Sequence, residues 1–93
     1  MNYPYETVLI VDALLTDAAI EAELNKATEL IKKNGELQNI SRIGKRRLAY
    51  PIKKKTHGDY SLITFTGNGK LVDEMEQVFR FSDGVLRYLT VRQ

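Results

Sequence analysis

Two hydrophobic periods alternate along this chain, and their order limits the folds open to it more than any single residue does. Runs rich in β-branched and aromatic residues recur at Tyr5 to Val11 (YETVLIV), Leu37 to Ile52, Tyr60 to Thr66 (YSLITFT) and Val85 to Arg92 (VLRYLTVR), the composition of strands. Between the first two, Ile20, Leu24, Ala27 and Ile31 follow one another at steps of three and four and line one helical face. Between the last two, Leu71, Val72, Met75, Val78 and Phe79 do the same. The predicted order is therefore β-α-β-β-α-β.

Local signals punctuate these elements. Thr16-Asp17 supplies an N-cap and a first-turn acid for the first helix. Lys32 and Lys33 complement the negative end of its dipole, and Asn34-Gly35 is predicted to end it in a left-handed residue. The stretch KKKTHGD, residues 53 to 59, is predicted to be the turn between the second and third strands, with Gly58 closing the hairpin. Asn68-Gly69 closes the third strand, and Ser82-Asp83-Gly84 breaks the second helix.

Two right-handed crossovers place both helices on one face of a four-stranded antiparallel sheet, an α+β, ferredoxin-like arrangement. Its strand order is 4-1-3-2, which leaves the second strand at an edge, where Pro51 is tolerated. The 93 residues make one domain, residues 1 to 93, burying roughly 60 to 65% of the surface of the unfolded chain.

With helices on one face only, the strands should alternate apolar and polar. They do not. Leu9 and Val11 are opposed by Val8 and Ile10, Leu62 by Ile63 and Phe65, and Val85, Leu89 and Val91 by Leu86 and Tyr88. A sheet apolar on both sides predicts an exposed apolar surface that a partner covers. A bulge near Gly44 would exchange inward and outward positions beyond it.

Charge is just as unevenly spread. Net charge is only +2, yet residues 45 to 55 hold six of the fourteen Lys and Arg, leaving eight bases against twelve acids elsewhere, a net of −4. Lys45, Arg46, Arg47, Lys53, Lys54 and Lys55 thus form one basic face on a mildly acidic domain, suited to the phosphates of a nucleic-acid backbone. Lysines and a proline also keep edge strands from pairing between molecules, a role compatible with the first.

Catalytic chemistry has little to work with. There is no cysteine, so no disulfide or thiolate metal site is expected, and no cofactor or small-molecule substrate is indicated. The one histidine, His57, sits near Asp59, but a solvated turn histidine is a poor general base. Gly67-Asn68-Gly69-Lys70 lacks the spacing of a phosphate loop. An acylphosphatase-type enzyme of similar strand order would need an arginine in a glycine-bearing turn after the first strand, where this chain has Asp12-Ala13-Leu14-Leu15. The apolar runs are far shorter than a bilayer span and the start of the chain lacks a signal-peptide plan, so no membrane partner and a cytoplasmic location are expected. Base stacking on the sheet, as in the RNA-recognition motif, is also disfavoured, because Asp59 stands where the first stacking aromatic belongs and Tyr60 is left alone.

The block Arg46-Arg47-Leu48-Ala49-Tyr50-Pro51-Ile52, two residues after Gly44, with YETVLIV near the start and VLRYLTVR near the end, resembles the family of bacterial small-subunit ribosomal protein six over residues 3 to 92. The resemblance implies a non-catalytic constituent of the small ribosomal subunit that binds the central domain of small-subunit ribosomal RNA together with ribosomal protein eighteen. It adds Arg87 to the basic run as an RNA-binding residue. It also implies a partner-binding set on the open sheet face: Tyr5, Val8, Ile10, Tyr60 and Leu62. The alternative is a general RNA-binding module outside the ribosome.

Overall fold

Six elements follow one another in the computed structural model, which describes residues 2–93. They are β1 (Tyr3–Asp12), α1 (Asp17–Asn34), β2 (Glu36–Ile52), β3 (Lys55–Gly67), α2 (Gly69–Arg80) and β4 (Val85–Arg92). The sheet order is β2-β3-β1-β4 and every neighbour is antiparallel, the ferredoxin-like topology that the alternating periods predict. β2 and β4 form its edges.

Each helix begins on a side chain that accepts an otherwise orphaned backbone N–H. Thr16 Oγ1 accepts from Ala19 N at 3.2 Å, and Asn68 Oδ1 from Leu71 N at 2.9 Å. α1 ends differently from expectation. Gly35 is extended, at φ −163° and ψ −151°, rather than left-handed. What needs a glycine there is space: a Cβ would stand 2.4 Å from the Thr66 carbonyl oxygen.

The main core lies between helices and sheet. Leu9, Val11, Ile63, Phe65 and Val85 from the strands meet Ile20, Leu24, Ala27 and Ile31 of α1 and Leu71, Met75 and Phe79 of α2. Burial of each large side chain stabilises by about 1.5–3 kcal/mol, which makes this layer the fold's dominant support.

A second, smaller cluster occupies the opposite face. Ile10, Leu48 and Leu86 are buried there, with Val8, Ile52 and Tyr60 packed against them. It forms because the end of β2 curls over the sheet: regular pairing with β3 stops at Arg47↔His57 and resumes only at Ile52↔Lys55. A bulge where β4 passes Ile10 and Val11 sends Val85 to the helix side and Leu86 to the other. The strict alternation expected in β4 is thereby corrected: Tyr88 joins the helix-side core, and Leu89 and Val91 are the exposed pair. β2 is also irregular between Arg42 and Gly44, the bulge expected near that glycine.

The hairpin turn is not where the glycine suggested. Lys53 and Lys54 take positive φ, 51° and 65°, and β3 starts at Lys55. Gly58 lies inside the strand, paired with Asp12 on one side and Arg46 on the other. A Cβ on it would stand 2.4 Å from Ile10 Cγ2 and 3.3 Å from Leu48 Cδ2, so its role is to let the second cluster close over the backbone.

Candidate nucleic-acid interface and partner face

The turn and the strand before it gather the basic run at one corner of the sheet. Lys45, Arg46, Arg47, Lys53 and Lys54 are exposed, and Lys55 is half-buried. Pairing with β3 divides the first three between the faces: Arg46 stands opposite Gly58, and Lys45 and Arg47 flank it opposite Asp59 and His57. Two of the lysines are partly occupied. Lys53 Nζ donates to the Val85 carbonyl at 3.2 Å, and Lys55 Nζ lies 3.3 Å from Asp12 Oδ2. Lys45, Arg47 and Lys54 have no side-chain contact with the rest of the chain among the bonds described, and Arg46 donates only to the neighbouring Lys45 carbonyl.

Arg87 joins this corner from β4. Its guanidinium donates to the Tyr50 hydroxyl, which ties the curled end of β2 to the opposite edge of the sheet. Arginine carries five donors, so this bond leaves the group able to meet an anion as well.

The open face beside that corner is apolar. Val8, Tyr60 and Leu62 are half-buried, Ile10 is covered by Leu48, and Leu89 and Val91 at the β4 edge are 57% and 49% exposed. Val8, Ile10, Arg87 and Leu89 line a shallow recess between β1 and β4. Tyr5 does not belong to this set. Its ring stacks on Phe65 at 5.6 Å between centroids, on the helix side, because it shares the parity of Leu9 and Val11. The expectation of a wholly open apolar face is also narrowed, since the β2 end already covers part of it.

His57 and Asp59 are not brought together as an acid-base pair. The imidazole is exposed beside Thr56, with Thr56 Oγ1 2.9 Å from its Nδ1, whereas the Asp59 carboxylate is buried on the helix side. There Arg42 Nη2 donates to Asp59 Oδ2 at 2.9 Å, and Arg42 Nη1 lies 3.9 Å from Glu21 of α1. The hydrogen bond that Arg42 donates to Asp59, partly opposed by desolvation and aided by the charges of Asp59, Asp17 and Glu21, raises Arg42 above its ordinary range. The pair was missed from sequence. Its signal was an acid at a position that shares its parity with Ser61, Ile63 and Phe65. Among the described residues no group of three or more His, Cys, Asp or Glu is placed to hold a metal ion.

A four-stranded sheet backed by two helices, with uncommitted cations at one corner and a partly open apolar face, offers binding surfaces for an anion and for an apolar partner. The comparisons make the assignment specific. The family model described as "Ribosomal protein S6" matches residues 4–92, and the chain belongs to that family. It is 42% identical over 88 residues to small ribosomal subunit protein bS6 of Clostridium novyi, covering 94% of this chain and 93% of that one. The bS6 of Parabacteroides distasonis is also 42% identical, over 90 residues, with 96% and 76% covered. The crystal structure of 30S ribosomal protein S6 from Thermotoga maritima superposes with a TM-score of 0.92 at 27% identity, over 100% of this chain and 89% of that one. The family is structural and non-enzymatic, and its place is the small ribosomal subunit in the cytoplasm.

Proposed function

We propose that this chain binds the central domain of small-subunit ribosomal RNA jointly with ribosomal protein eighteen, and that it holds the RNA fold by neutralising phosphates while its partner covers the open sheet face. The observation that carries the reading is one of adjacency. Arg46, opposite Gly58, shares the open face with Val8, Tyr60 and Leu62, with the uncommitted Lys54 in the turn beyond it; Lys45 and Arg47 fall on the other parity, and Leu89 and Val91 continue the apolar face along the β4 edge. Lys53, Lys55 and Arg87 complete the RNA-binding set, each keeping donors beyond its internal bond. Val8, Ile10, Tyr60 and Leu62 form the partner-binding set, and Tyr5 contributes only from below, through the sheet.

Phosphate contacts make affinity fall with salt, by about 0.7 to 0.9 units of log K per log salt for each contact. The test is a salt series of binding to the central-domain RNA fragment, with and without ribosomal protein eighteen. Sharp tightening by the partner, with no competition from unrelated RNA, supports joint assembly. Equal binding to every RNA, indifferent to the partner, replaces it with a general RNA-binding module outside the ribosome. Arg46→Ala with Arg47→Ala is expected to lower the slope, and an unchanged slope in the folded double variant removes both from the contact list.

A further inference from the structure

A groove beside the hairpin turn is lined by Asp12, Leu14, Lys54, Lys55, Thr56 and His57. Its lone carboxylate is already satisfied: Asp12 Oδ1 accepts from Leu14 N at 3.0 Å, and Oδ2 faces Lys55 Nζ at 3.3 Å. The carboxylate therefore neutralises Lys55 and leaves Lys54, whose side chain is exposed, as the free cation of the groove. Thr56 Oγ1 holds Nδ1 of the exposed His57 ring at 2.9 Å, which leaves Nε2 unengaged. Arg47 stands opposite His57 across the strand pair.

These groups determine what the groove takes. Three cations, Arg47, Lys54 and Lys55, stand near the ring against one carboxylate, Asp12. A bound anion reverses that balance. A protonated imidazole then donates from Nε2 to the anion and from Nδ1 to Thr56 Oγ1, which frees the threonine hydroxyl to donate to the same anion. We infer that this groove seats one phosphodiester of the RNA backbone and that His57 takes up a proton when the RNA binds. This rests on the RNA-binding reading above and names the group, the place and the regulation within it. The consequence is a proton-linked affinity, because whatever binds the protonated form better must bind better where that form is populated.

His57 is the chain's only histidine, which makes the test clean. Affinity of the full chain for the central-domain RNA fragment is measured between about pH 8 and about pH 5.5, the interval in which imidazole changes charge. Wild-type affinity should rise roughly three- to tenfold on acidification, whereas His57→Gln, confirmed folded by its thermal transition, should stay flat. Thr56→Val should reduce the rise by weakening the bond that orients the ring. A rise that persists undiminished in His57→Gln overturns the inference while leaving RNA binding intact. Absence of RNA binding at any pH instead overturns the functional reading, and the groove assignment falls with it. The imidazole C2 proton resonance identifies the source of the phosphate: it should move with RNA and not with millimolar inorganic phosphate. Equal response to both assigns the groove to free phosphate and overturns the backbone assignment.

Discussion

Arg42 Nη2 lies 2.9 Å from Asp59 Oδ2, so a side chain from the edge strand holds a carboxylate that is almost wholly buried under α1. The two partners are unequal. The Asp59 side chain is 2% exposed and that of Arg42 31%, and Asp59 Oδ1 and the nearby Ser61 Oγ have no protein partner. Removing the arginine strands a buried charge, whereas the solvent-facing guanidinium gains less from the pair.

Arg42→Ala should therefore destabilise by about 2 to 3 kcal/mol, less than for a fully buried pair because water already screens the guanidinium. The check is the urea midpoint at unchanged m-value. Because the pair raises the arginine's pKa, its contribution is fully present below the guanidinium's ordinary range and is lost only as pH climbs beyond the raised value. Acidification thus cannot discharge Arg42. A loss below about 0.5 kcal/mol in Arg42→Ala would show that Asp59 finds another route to satisfaction.

Most of this architecture was legible as periodicity. Ile20 to Ile31 and Leu71 to Phe79 had to pack on a sheet, and the four strand runs around them formed that sheet. What escaped was long-range. Leu48 sits inside a basic run, and nothing local says that the strand will curl until Leu48 meets Ile10 and Leu86. Leu86 was grouped with Tyr88 because a face follows from register and the β4 bulge resets it, whereas Tyr5 was set with Val8 and Ile10 although its parity is that of Leu9 and Val11. The basic corner itself was readable, because clustered charge needs no tertiary knowledge. The groove at His57 was not, since Asp12 and Leu14 come from the end of β1 and the loop after it, distant in sequence though paired beside β3.

Gly58 offers a second check on that curled segment. A methyl group there would stand 2.4 Å from Ile10 Cγ2, a β-branched group held in the cluster that it would have to displace. Gly58→Ala should cost about 1 to 3 kcal/mol and loosen the end of β2. Hydrogen exchange would show it: the amides of residues 47 to 50 and of Ile52 should lose protection while those of β1 near Thr7 keep theirs. Uniform loss across the sheet would mean that the second cluster is not a separable unit.

The lysine turn separates folding from binding. Both Lys53 and Lys54 occupy the left-handed region that a two-residue hairpin loop requires and that glycine adopts without strain. Lys54→Gly should raise stability by about 0.5 to 1 kcal/mol and at the same time lower the salt slope of RNA binding by about 0.7 to 0.9. Thermal melting and the salt series together decide it. Higher stability with an unchanged slope would leave the turn intact as structure and remove Lys54 from the phosphate contacts.

The open face calls for a variant that changes partner binding alone. Leu89 and Val91 project from the β4 edge with about half of their surface in water, so neither contributes much to the core. Leu89→Gln combined with Val91→Thr keeps size and net charge while removing apolar area, and should change stability by no more than about 0.5 kcal/mol per site. Binding of RNA by the chain alone should keep both its affinity and its salt slope, because the basic corner is untouched. The tightening contributed by ribosomal protein eighteen should fall, since exposed apolar area counts in binding only when a partner buries it. Undiminished tightening in the double variant would reduce Leu89 and Val91 to scattered surface hydrophobes and confine the docking surface to the recess of Val8, Ile10 and Arg87.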